Sequence, residues 1–66
     1  MTNSGMQEAV NQGMQGDAAR ELGDFASAAM HFGEAAGLFR KLGDDEGAAW
    51  MRDVQTELAR QLEGQN

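Results

Sequence analysis

His31 and Glu34 stand three residues apart, so on a helix their imidazole and carboxylate share a face and could open a metal site or an acid–base pair. Zinc, however, takes about four ligands, mostly His or Cys, and this chain has one histidine and no cysteine. His31 is therefore read as a surface histidine. Asp44, Asp45 and Glu46 gather three carboxylates, but without the alternating oxygen ladder and glycine of a calcium loop. They are better explained as acids at a helix start, where the helix dipole favours negative charge. Ser4 and Ser27 lack a base partner, and neither a Gly-x-Ser-x-Gly turn nor a phosphate-cradling glycine loop occurs. The expectation is no enzyme, no cofactor and no metal.

Surface chemistry offers more. Trp50 is the one tryptophan, and it has two readings: an anchor for a partner or a plug closing the core of a small bundle. Met14, Met30 and Met51 carry the same pair of readings, an adaptable binding surface or core filling. Met30 and Leu38 lie off the main apolar face of their helix and are hard to bury within three helices, which makes them the first place to look for an interface. The candidate partner-binding residues are thus Met30, Leu38, Trp50 and Met51.

The elements that must position these residues are marked by a phrase that occurs twice, Arg20-Glu21-Leu22-Gly23-Asp24 with Ala28-Ala29, then Arg40-Lys41-Leu42-Gly43-Asp44 with Ala48-Ala49. The offset of about twenty residues is one helix plus a turn. In each copy glycine can take the left-handed conformation that ends a helix, and aspartate can cap the next. Three helices are expected, at about 4–22, 25–42 and 45–62, forming one domain over residues 1–66. The first would begin at Ser4, with Gln7 completing a capping box, and would bury Met6, Val10, Met14, Ala18 and Leu22. The second presents Phe25, Ala28, Phe32, Ala35, Phe39 and Leu42, the cleanest helical period in the chain. In the third, Trp50, Met51, Val54, Leu58 and Leu62 form the stripe, Arg52, Asp53, Glu57, Arg60 and Glu63 the solvated remainder, and Gly64-Gln65-Asn66 a frayed end.

Length and charge bound the rest. A chain of 66 residues buries only about 60% of the surface it exposes unfolded, and without cysteine it has no disulfide to add. Self-association is the expected remedy. The net charge of −6 speaks against nucleic acid as a partner and suits a basic protein or a merely solubilising surface. No apolar run approaches the ~20 residues of a membrane span, and Met1–Gly5 lacks the character of a signal peptide, so no membrane partner and a cytoplasmic location are expected.

Ala28, Phe32 and Ala35 together with the Leu-Gly-Asp punctuation resemble the second helix of a tetratricopeptide repeat. In that resemblance residues 9–42 correspond to one helix pair, Gly16 takes the small position of its first helix, and the third helix opens a following repeat or caps the array. Gln12, Gln15 and Ala19 stand where that family prefers Trp, Leu and Tyr, and Arg40 where a closing Pro is common. Gly13 and Asp17 replace the Lys and Asn with which some members grip a carboxylate terminus. The pattern Gly23-Asp24-Phe25, Ala28, Phe32, Ala35 before a long charged third helix is also similar to microtubule-interacting and trafficking domains. Both resemblances imply an all-α, three-helix antiparallel array of about one and a half repeats that binds a protein or peptide by helix packing; from their charge, the acids of the third helix are expected to steer a basic partner. The alternative is an assembly protein whose homo-oligomer is the functional form.

Overall fold

The computed structural model describes residues 4–64, with the Ser4 side chain outside the description. It is all-α: α1 Ser4–Glu21, α2 Phe25–Lys41 and α3 Asp45–Gly64. The capping role expected of Ser4 and the fraying expected of Gln65 and Asn66 fall outside the described residues.

The doubled phrase produces the same backbone twice. Gly23 and Gly43 both adopt positive φ, 83° and 82°, a region that costs glycine nothing and other residues up to about 2 kcal/mol. The Asp24 amide donates to the Ala19 carbonyl at 2.9 Å, and the Asp44 amide to Phe39 at 2.9 Å. One residue earlier, Gly23 donates to Arg20 and Gly43 to Arg40, each at 3.0 Å. These paired bonds satisfy the last carbonyls of the preceding helix. Each aspartate then turns its carboxylate forward: Asp24 Oδ1 accepts from the Ser27 amide at 3.3 Å, and Asp44 Oδ1 from the Gly47 amide at 2.9 Å. A single residue therefore closes one helix and opens the next.

Turns this tight force consecutive helices antiparallel, and α2 packs along both neighbours. Its buried face is Ala28, Phe32, Ala35, Ala36 and Phe39. This matches the expected stripe except that Ala36 joins it and that at its ends Phe25 is half-buried and Leu42 exposed. From α3, Ala48 and Leu58 are buried, and Met51, Val54 and Leu62 half-buried. Arg52, Asp53, Glu57, Arg60 and Glu63 are exposed, as their spacing predicts.

The first helix overturns its expected face. Met6, Val10, Met14, Ala18 and Leu22 are all exposed, while Ala9 and Gly16 are buried and Gln12, Gly13 and Ala19 half-buried. Volume is the reason. The rings of Phe32 and Phe39 already occupy the space beside α2, and a Cβ placed on Gly16 would lie 2.9 Å from the Phe32 ring. Only small side chains fit there, so α1 turns its smallest face inward and its methionines outward.

The resulting core is light. Among the described residues five of the eight buried apolar side chains are alanine, the others being Phe32, Phe39 and Leu58. Alanine contributes little apolar area, so a large share of the chain's hydrophobic surface stays in water.

Candidate interaction surfaces

Two grooves run along α3, one on each flank. The first separates α3 from α1, with Gly13, Asp17 and Arg20 on one wall, Trp50, Met51 and Val54 on the other, and Phe32 between them, enclosing about 330 Å³. It continues past Arg20 and Val54 into a dent of about 260 Å³ bordered by Asp53, Glu57, Leu58 and Gln61. The floor is apolar and the rim acidic. Asp17, Asp53 and Glu57 supply carboxylates, and the one cation, Arg20, is bonded to Asp17. The Arg20 guanidinium also lies 5.8 Å from the centroid of the Phe32 ring, within reach of a cation–π attraction.

Trp50 sits at the mouth of this groove and is 68% exposed. It does not close the core, which corrects that reading of the sequence. Its spacing explains why: α3 points Ala48, Met51, Val54, Gln55 and Leu58 toward its neighbours, and Trp50 falls on the flank of that arc. Met51 behaves differently. It packs against both clusters of buried residues and reaches across to α1, where a Cβ on Gly13 would meet its Sδ at 3.6 Å.

The second groove, between α2 and α3, encloses about 700 Å³. Met30, 53% exposed, lies along it, with Gly33, Ala36 and Gly37 on the α2 wall and Gln55 on the α3 wall. Its charge is the reverse of the first: Arg40, Lys41 and Arg52 line it against a single carboxylate, Glu34. Three of the chain's five cations are gathered here. Among the described residues the ion pairs are Arg20–Asp17 and Arg60–Glu57, so none of these three cations is engaged in one. Arg52 is eleven residues beyond Lys41, and only the antiparallel turn brings them together.

Of the four candidate residues, then, Trp50 and Met51 share one groove and Met30 lines the other. Leu38 is half-buried, packs against the core and borders a dent of about 310 Å³ with Glu8 and Gln12 of α1. The four do not form one patch. His31 Nδ1 lies 2.8 Å from Gln12 Oε1 and ties α2 to α1, and no group of three His, Cys, Asp or Glu side chains suited to a metal occurs among the described residues. What the sequence reading missed is the buried face of α1. Its signal was available in the small residues Ala9, Gly13 and Gly16, which recur at helical spacing opposite a partner helix rich in aromatic rings.

No protein-family model matches the chain, and neither a curated protein nor a solved structure is similar to it. Among the described residues, no helix is long and apolar enough to cross a membrane.

Proposed function

We propose that this chain is a non-enzymatic, cytoplasmic interaction module of tetratricopeptide-like character, which binds a protein partner by helix packing and also self-associates. The observation that carries the reading is Trp50, a large apolar side chain left 68% exposed beside a groove of matching character. Leaving an indole in water has a cost that a partner's apolar side chain removes, and tryptophan is over-represented where binding energy concentrates. The carboxylates of Asp53 and Glu57 on the same rim select a basic partner and speed its approach.

The test uses Trp50 as its own reporter. A synthetic amphipathic helix of leucine and lysine should shift its fluorescence to the blue, and a leucine–glutamate counterpart should not. Trp50→Ala, followed by anisotropy of the labelled peptide, should weaken binding at least ~10-fold, about 1.4 kcal/mol. Unchanged affinity in that variant, with helicity intact by circular dichroism, sinks the reading. A second reading, an assembly whose homo-oligomer is the functional form, is favoured by the alanine-rich core. A fold that buries this little leaves more of its stability to be supplied by neighbours.

A further inference from the structure

The outward stripe of α1 and the basic groove between α2 and α3 complement each other. Along α1, Met6, Val10 and Met14 recur every four residues and are all exposed, Met14 at 63%. Asp17 and Glu21 continue the same flank at helical spacing, with Arg20 bonded to Asp17, and all three are exposed, while Glu8 borders the dent on the α2 side. The groove offers the counterpart, with Met30 and Ala36 as apolar contacts, Arg40, Lys41 and Arg52 as cations, and Glu34 as the one acid. Lengths agree too. At 1.5 Å per residue the stripe from Met6 to Met14 covers about 12 Å, and the α2 wall from Met30 to Lys41 about 16 Å. At Gly37 a Cβ would meet nothing within 4 Å, so the α2 wall is open where a neighbouring helix would approach.

We infer that the occupant of the α2–α3 groove is α1 of a second copy of this chain, seated with Val10 and Met14 toward Met30 and with Asp17 and Glu21 toward Arg40, Lys41 and Arg52. This rests on the self-association in the proposed function and gives it a geometry. In this seating the contact is head-to-tail, each copy that donates α1 leaving its own groove open to the next, rather than a reciprocal two-fold pair in which each α1 fills the other's groove. The α1–α3 groove that holds Trp50 is a separate cleft from the one the second copy fills. Because the three cations are solvent-exposed, their attraction to the arriving helix is screened by salt, and assembly weakens as ionic strength rises.

Two variants and their mixture test this. Arg40→Glu with Arg52→Glu disables the groove, and Val10→Asp with Met14→Asp disables the stripe; all four positions are exposed, and helicity by circular dichroism verifies that each variant folds. In sedimentation equilibrium from micromolar to millimolar concentration, the wild type should grow beyond a dimer. Each variant alone should associate at least ~10-fold more weakly, about 1.4 kcal/mol. An equimolar mixture should form a complex that stops at one copy of each, because it retains one intact groove and one intact stripe. A wild type monomeric at millimolar concentration overturns self-association itself. One that stops at a dimer leaves self-association standing and overturns the head-to-tail arrangement. A mixture that sediments as two monomers overturns the pairing of stripe with groove.

Discussion

The two helix pairs of this small array are held by opposite means. Between α2 and α3, bulk meets bulk: Leu58, 2% exposed, packs with Ala28 and Phe32, and Met51 and Val54 close over them. Between α1 and α2, bulk meets absence. The Phe32 ring fills the space left by Gly16, and among the described α1 side chains larger than hydrogen Ala9 alone is buried outright. The α1–α2 pair thus depends on shape and the α2–α3 pair on buried area. A helix held by shape can leave its large apolar side chains in water, and α1 does so.

Substitutions separate the two modes. Leu58→Ala should have the largest effect, a loss of about 3 kcal/mol in urea unfolding, since it removes both apolar area and contacts around a buried site. For a chain of this size that is a large part of the whole. A loss under ~1 kcal/mol would mean that α3 is not anchored there. Gly16→Val should cost about 2 kcal/mol by pushing the Phe32 ring aside. If the unfolding midpoint instead rises, as valine's better helix propensity alone would give, then α1 is not held by fit.

The smallest contrast concerns the junctions. Asp44→Ala should cost about 1 kcal/mol and Asp24→Ala about half of that, because the Asp44 bond is shorter and partly buried and the Asp24 bond longer and exposed. Equal losses in thermal unfolding would erase that distinction.

The positions of α1, α2 and α3 were legible in the sequence because Leu-Gly-Asp is a local code, in which backbone freedom at glycine and a carboxylate at the next position act within six residues. The α2 face was legible for a related reason, its three phenylalanines leaving no other set of residues to bury. The α1 face was not, because hydrophobicity alone favoured Met6, Val10 and Met14, and what excluded them was the volume of rings on another helix. Trp50 was half-legible. Its type announced either a core or an interface, and its place on the edge of the α3 arc settles its exposure. The basic groove could not be read at all, since Arg40, Lys41 and Arg52 become neighbours only once α3 folds back on α2.

The aspartates at the two junctions have a mechanical consequence. Asp24 and Asp44 each belong to two helices at once, so the chain between helices holds no slack segment in which bending could be absorbed. Through Asp24 the last turn of α1 is hydrogen-bonded to the first turn of α2, and through Asp44 the last turn of α2 to the first turn of α3, so tilting one helix against the next has to strain or break these bonds.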